Sequence, residues 1–171
     1  MRIGLGIDVH AFADEGDKRP LVLGGVQIEH PRGLAGHSDA DVLTHAVMDA
    51  LLGAARLGDI GKYFPPTDPD FKDANSLVLL AKVKSLLLKE GFEIEDIDCV
   101  VIAQEPRLSP FRDEMRTNIA QVLRIAPSQV GIKATTSEHL GFEGRKEGIS
   151  AYAVALLQPA AGPTNSVLLS V

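Results

Sequence analysis

This 171-residue sequence predicts a single α+β domain, with helices layered on one face of a mixed, mostly antiparallel sheet. Three observations carry that expectation. Several short runs have the two-residue period or the unbroken apolar character of strands. Three longer segments repeat their apolar residues at helical spacing. The order of strands, helix, helix, strand, helix, strand, strand lacks the regular alternation of a parallel α/β sheet. The length suits one well-filled core and is short for two, so residues 1–158 are expected to form one domain and 159–171 a loosely held tail.

Taken in order, residues 2–10 read as the first strand. Residues 21–28 read as a hairpin whose paired glycines, Gly24 and Gly25, supply positive φ. Gly33 and Gly36 lead into the first long helix, with Ser38 as N-cap and Asp41 three residues on. Leu43, Val47, Ala50, Leu51 and Ala54 form its apolar stripe, and it is expected to run to Leu57 and stop at Gly58. Residues 59–69 hold too many Pro, Gly and Asp for regular structure and read as a loop. A second helix over 75–90 carries Leu77, Leu80, Val83, Leu87 and Leu88 and ends at Gly91. A strand over 97–103 follows, then a helix started by Ser109 and Pro110 and ending near Arg124. Residues 130–135 and 149–157 read as two final strands, joined by a Gly-rich, ligand-facing loop over 140–148.

Composition narrows the function classes. A 45% hydrophobic content with 23% charged residues fits a globular chain rather than a disordered one. The formal net charge of -6 argues against a nucleic-acid surface, which needs clustered Lys and Arg. The same charge would repel a phosphate ester, so such a ligand needs local devices: metal ions, backbone N–H groups or single basic residues. No apolar run approaches a membrane span, and the opening residues lack a basic region followed by an apolar stretch. Cys99, the only cysteine, excludes an intrachain disulfide and sits in a strand-like apolar run, as expected of a small core residue. A cytoplasmic location is expected.

Asp8 and His10 alternate on the first strand and therefore point to one face, and His45 on the first helix offers a third donor. One carboxylate and two imidazoles suit zinc or a similar divalent ion, with one position left open for chemistry. His30, His37 and His139 are rivals for the same role. Ser38, Asp41, His45 and Asp49 are spaced to share one helix face, so Asp49 is expected to hold the His45 nitrogen that does not touch metal. Two outcomes follow from the ligands alone. A zinc-dependent phosphoesterase would activate water, and a scaffold would use the ion for stability.

Several motifs occur together in order: Gly6-Ile7-Asp8-Val9-His10, His37-Ser38-Asp39-Ala40-Asp41 with His45, Leu57-Gly58-Asp59-Ile60-Gly61, and Lys133-Ala134-Thr135-Thr136 continuing through Glu138, Leu140-Gly141-Phe142 and Gly144-Arg145. In these the chain resembles the 2-C-methyl-D-erythritol 2,4-cyclodiphosphate synthases of the non-mevalonate isoprenoid pathway, over residues 2–157. The resemblance implies conversion of 4-diphosphocytidyl-2-C-methyl-D-erythritol 2-phosphate to the cyclic diphosphate with release of CMP, the substrate's own 2-phosphate attacking its β-phosphorus. It implies that Asp8, His10 and His45 hold Zn²⁺, that Glu138 helps place Mg²⁺ or Mn²⁺ on the diphosphate, and that His37 and Thr136 stabilise the transition state.

The substrate-binding positions implied by the same resemblance fall in four groups. Asp8, Val9, His10, His37 and Ser38 lie beside the metal. Asp59 and Gly61 would hold the methylerythritol hydroxyls, with Ile60 between them, followed by Phe64, Pro65, Pro66, Thr67 and Asp68. Ala103, Gln104, Glu105, Pro106, Arg107, Leu108 and Ser109 would enclose cytidine together with Thr135, Thr136, Ser137 and Glu138. Phe142 and Arg145 complete the set. The family commonly reads Phe-Pro-Asp-Thr-Asp where this chain has Phe64-Pro65-Pro66-Thr67-Asp68, so Pro66 removes a carboxylate and stiffens the loop. The resemblance also implies a homotrimer with active sites between subunits, and a central channel in which Arg145 and Glu147 would meet an isoprenoid diphosphate.

Overall fold

Alternation over Arg2–Ala11 forms β1, an edge strand of a four-stranded sheet in a computed structural model that describes residues 1–14 and 16–160. The other strands are β4 (Phe92–Ile102), β5 (Val130–Thr135) and β6 (Gly148–Pro159), in the spatial order β1-β6-β4-β5. β1 with β6 and β6 with β4 run antiparallel, and β4 with β5 runs parallel, so the sheet is mixed. Leu21–Leu23 and Val26–Ile28 form a separate hairpin, β2 and β3, turning on Gly24 and Gly25 at φ 55° and 72°.

The middle strand begins five residues earlier than the sequence suggests. Glu93, Glu95 and Asp96 look like loop residues, but the register shifts between Ile94 and Asp96, and this irregularity places both Ile94 and Ile97 in the core despite their spacing of three. β6 likewise runs on to Pro159 rather than stopping at Leu157, and the Ala160 N–H donates to the Gly91 carbonyl (2.8 Å). The rest of the expected loose tail, from 161 onward, lies outside the described residues.

Three long helices cover one face: α1 (Val42–Ala55), α3 (Ser76–Lys89) and α4 (Arg112–Leu123). α1 lies on β1 and β6 at the centre of the core. Its approach to β1 is set by two glycines. A Cβ on Gly4 would sit 2.0 Å from the Ala50 carbonyl oxygen, and one on Gly6 would sit 2.0 Å from that of Ala46. Their absence lets backbone pack on backbone.

The cap of α1 is Asp41, not Ser38. Ala40 at φ 56° breaks any helical path from Ser38, and the Asp41 carboxylate accepts from Thr44 N and from Gly24 N and Gly25 N of the hairpin turn. The helix ends at Arg56 in the left-handed conformation, before Gly58. Ser109 is not a helical cap either. Pro110 starts a 3₁₀ turn over Ser109–Phe111 that runs straight into α4, leaving no extended residue from which a hydroxyl can reach back, and Ser109 Oγ accepts from Arg107 Nε (2.9 Å) instead. On α3 the buried stripe uses Leu79 in place of Leu88, which is exposed. The stretch read as a plain loop contains a short helix, α2 (Ile60–Tyr63), and a 3₁₀ turn over Pro69–Phe71. A further single turn, α5 (Gly141–Gly144), interrupts the Gly-rich link to β6.

The sheet face away from the helices bears Ile3, Leu5, Ile7 and Val9 of β1, 65%, 62%, 48% and 49% exposed, with Val154 of β6. Cys99 is a buried core residue whose thiol burial pushes up to about 12. No helix among the described residues is long and apolar enough to cross a membrane.

Candidate active site

Asp8 and His10 project from β1 on the face where Gly4 and Gly6 admit α1, and His45 is the fourth residue of that helix. Close packing at Gly6 therefore brings strand and helix ligands together. Asp8 Oδ2 lies 3.0 Å from His10 Nε2 and 3.0 Å from His45 Nδ1, and the two nitrogens are 3.3 Å apart. A tetrahedral zinc-sized ion, with bonds of about 2.0–2.2 Å, holds its ligand atoms roughly 3.3 Å apart. The three donors fit such an ion in kind and in spacing, and they form a metal-binding group.

The remaining ring nitrogens are occupied. His10 Nδ1 donates to the Ala35 carbonyl (2.6 Å), where the chain passes so closely at Gly36 that a Cβ there would meet His10 Cε1 at 2.9 Å. His45 Nε2 meets Ser76 Oγ (2.9 Å) and Ser38 Oγ (3.2 Å). The expected partner, Asp49, turns elsewhere and accepts from Ile60 N (2.8 Å), because α2 folds back over this turn of α1. Burial works against the charge on Asp8, but hydrogen bonds and attraction from His10 and His45 outweigh it and hold the carboxyl well below the usual range. Burial likewise disfavours the His10 cation, and Asp8 and the Ala35 carbonyl reverse that, raising its pKa.

A cavity of about 240 Å³ opens over this group. His37, Ser38, Ile60, Gly61, Phe64 and Pro66 line it, as the family resemblance implies, together with Met48, Phe71 and Leu79, which the sequence does not single out. His37 is tied through Nε2 to the Asp68 carbonyl (3.1 Å), and the Asp68 N–H donates to the Pro65 carbonyl (3.0 Å), with exposed Thr67 between them. Asp59 uses its carboxylate to cap α2 at Lys62 N (3.1 Å). Val9 points to the opposite face of the sheet from Asp8 and His10. The rival His30 stacks on Phe12 at 4.9 Å, and neither it nor His139 joins the three donors.

A second cavity, about 380 Å³, lies where the ends of β4 and β5 open. Ala103, Gln104, Pro106, Arg107, Leu108 and Ser109 form one side of it, and Thr135 and Thr136 the other. Glu105 turns away to pair with Lys146 (2.6 Å), with His30 at 3.7 Å; the Lys146 bond chiefly holds its carboxyl below the ordinary range. Arg112 also lines the cavity, a residue whose place at the start of α4 gave no signal in the sequence beyond its charge. Beside it Thr136 Oγ1 donates to Glu138, and both Glu138 and His139 hold positive φ, 53° and 63°. Ser137 Oγ donates to the Leu140 carbonyl (2.7 Å), Phe142 is half-buried in α5, and Arg145 pairs through two bonds with Glu147 (2.8 and 3.0 Å). Glu138 is not part of the Asp8–His10–His45 group, and among the described residues the two cavities share no lining residue.

A mixed sheet with helices on one face, an open three-donor metal group and a second cavity of mixed polar and apolar lining at the ends of a parallel strand pair defines a metal-binding α+β enzyme domain. The chain belongs to the YgbB family, which matches residues 1–158. It is 61% identical over 156 residues to the 2-C-methyl-D-erythritol 2,4-cyclodiphosphate synthase of Synechococcus elongatus, spanning 91% of this chain and 96% of that one. The protein of the same name from Clostridium botulinum is 57% identical over 157 residues, spanning 92% and 99%. Among solved structures, IspF of Plasmodium falciparum in a CDP complex is similar with a TM-score of 0.81 at 37% identity, covering 94% of this chain and 97% of that one. The bifunctional IspDF from Campylobacter jejuni gives 0.87 at 47% identity, covering 92% of this chain but only 42% of that longer protein.

Proposed function

We propose that the chain, through residues 1–158, catalyses the ring closure for which its relatives are named. It converts 4-diphosphocytidyl-2-C-methyl-D-erythritol 2-phosphate to 2-C-methyl-D-erythritol 2,4-cyclodiphosphate and CMP, a step of isoprenoid precursor synthesis. The observation that carries this reading is the convergence of Asp8, His10 and His45 on one point, with the second ring nitrogen of each histidine already engaged.

An oxygen of the substrate's 2-phosphate forms a bond to the β-phosphorus, and the bond from that phosphorus to the bridging oxygen of the α-phosphate breaks, so CMP departs with the electron pair. The nucleophile is already anionic and no protein base is needed, which leaves positioning and charge neutralisation to the site. Asp8, His10 and His45 would hold Zn²⁺ and Glu138 would help hold Mg²⁺ or Mn²⁺, and these ions would supply Lewis-acid neutralisation of the diphosphate. His37, anchored through Nε2 on the Asp68 carbonyl, presents its second ring nitrogen to the reacting phosphates. Thr136 offers its hydroxyl to the same charge. Gly61 and Ile60 form the wall against the methylerythritol carbons, while Asp59 and the 64–68 stretch shape its rim. Backbone groups of 103–109, with Thr135 to Glu138, read cytidine. Phe142 and Arg145 close the far side of that region.

The separate cavities support a site completed between copies of the chain, zinc side from one and cytidine side from the next, in a homotrimer. The exposed Ile3, Leu5, Ile7 and Val9 stripe supplies an apolar face for that association. Arg145 and Glu147 would then border a central channel suited to an isoprenoid diphosphate, and the assembly would act in the cytoplasm.

The test is direct. Purified protein with substrate, Zn²⁺ and Mg²⁺ should yield CMP and the cyclic product together. CMP without the ring would favour a phosphoesterase, and the absence of CMP would defeat the proposal. His45→Ala should lose both zinc and turnover.

A further inference from the structure

We infer that Asp39, acting through Ser76, decides which nitrogen of His45 carries the proton, and so keeps His45 Nδ1 free for the metal. Asp39 and Ser76 are positioning residues in this account, and it rests on the reading of Asp8, His10 and His45 as metal ligands.

The argument is one of donors and acceptors. His45 Nε2 lies within hydrogen-bond reach of two buried hydroxyls, Ser76 Oγ at 2.9 Å and Ser38 Oγ at 3.2 Å. A hydroxyl can donate or accept, so two serines alone are indifferent to the tautomer of the ring. Ser38 accepts from Ala40 N (3.2 Å), which leaves its own proton free to turn either way. Ser76 is different, because its Oγ also contacts Asp39 Oδ1.

An ionised carboxylate accepts only. Asp39 takes Ser76 N at Oδ2 (2.9 Å) and Asp41 N at Oδ1 (3.3 Å), and the Ser76 hydroxyl must give it the proton. The Ser76 lone pairs then face His45 Nε2, which has to be the donor. A neutral ring with its proton on Nε2 has its lone pair on Nδ1, the atom 3.0 Å from Asp8 Oδ2 and 3.3 Å from His10 Nε2. His10 is set with the opposite polarity by a simpler device, since its Nδ1 faces the Ala35 carbonyl, which can only accept. Asp39 precedes α1 and Ser76 opens α3, so the proton order at the metal depends on two helices meeting correctly.

The informative variant is Asp39→Asn. Its amide oxygen can still accept from Ser76 N, so the start of α3 keeps its partner. Its NH₂ now faces Ser76 Oγ as a donor and turns the Ser76 proton toward His45 Nε2, which pushes the ring proton onto Nδ1. Zinc affinity, measured by competition with a chromogenic chelator, should fall by roughly 10- to 100-fold, and the unfolding midpoint should fall slightly because Asp41 N loses its long bond to Asp39 Oδ1. Ser76→Ala should cost less, under about 10-fold, because Ser38 remains as an acceptor, and Ser38→Ala with Ser76→Ala should cost more than either alone. In the zinc-loaded wild type, ¹⁵N spectra should show His45 with a proton on Nε2 and metal on Nδ1. Wild-type affinity retained in Asp39→Asn, or zinc found on Nε2, would overturn the inference. Failure of the wild type to bind zinc, or equal binding by His45→Ala, would instead overturn the metal reading on which it rests. Should Asp39→Asn not fold, the double serine variant and the wild-type spectrum still decide.

Discussion

Gly6→Ala probes the contact on which the metal group depends. The added Cβ would stand 2.0 Å from Ala46 O and 2.5 Å from Ala50 N, both backbone atoms of α1, so no side chain can swing aside. Carbon contacts settle near 3.5–4.0 Å, and helix and strand must therefore separate by more than an ångström. Gly6 does not sit at positive φ, so the effect is steric rather than conformational. Overpacking costs about 1–3 kcal/mol and more where backbone meets backbone, and the gap opened along β1 and β6 forfeits further dispersion. We expect a loss of about 3 kcal/mol or more, which corresponds to roughly 6–12 °C in Tm for a chain of this size. His45 adjoins Ala46 and would move with it, and a displacement near 1 Å at a tuned site costs on the order of 100-fold. Zinc affinity should fall accordingly. Gly53→Ala is the matched control: among the described residues nothing lies within 4 Å of its added Cβ, and the helix should gain about 0.5–1 kcal/mol. Denaturant unfolding and zinc competition on both variants test this directly. Gly6→Ala within about 0.5 kcal/mol of wild type, with zinc affinity unchanged, would refute the reasoning, since that change lies within the range of ordinary surface substitutions.

Asp41→Asn should destabilise by about 1–3 kcal/mol in denaturant unfolding, because one oxygen that accepts from Gly25 N and Thr44 Oγ1 (2.8 Å each) becomes a donor in a fully buried place. Asp49→Ala should leave zinc affinity unchanged while raising KM, for it frees Ile60 N at the cavity wall and does not touch His45. Glu105→Gln tests a pH dependence. The folded-state pKa of Glu105 is depressed, chiefly by its Lys146 bond, so its contribution is present above the unfolded-state pKa and is lost as pH falls through the lower folded value. Wild type and variant should differ by under about 1 kcal/mol at neutral pH, and unfolding curves should converge at acid pH, given the exposure of the pair.

Where a structural choice was local, the sequence carried it. The period of 76–89 and 130–135, the paired glycines of the hairpin and the Asp-x-His alternation of β1 each depend on neighbours a few residues away. Asp41 displaced Ser38 as cap for a non-local reason, its bonds to Gly24 and Gly25. The start of β4 was hidden because a register shift lets charged residues ride in a strand. At the site, spacing put Asp8, His10 and His45 forward with His30, His37 and His139 as rivals, and only the family resemblance chose among them, whereas the partners of the second ring nitrogens left no signal. Ser76 lies 31 residues from His45 and shares no motif with it, and Asp49, the partner that helical spacing suggests, is claimed by Ile60. Arg112 could be placed in a cavity only once the path of α4 was known.

The absence of any shared lining residue between the two cavities has a thermodynamic consequence. A ligand that spans both kinds of surface across neighbouring copies binds the assembly and not the dispersed chain, so by mass action it must also hold the copies together. For the proposed trimer, specific activity should fall on dilution and recover with substrate, and a mutation on the apolar stripe of β1 should register as weakened substrate binding without touching a substrate atom.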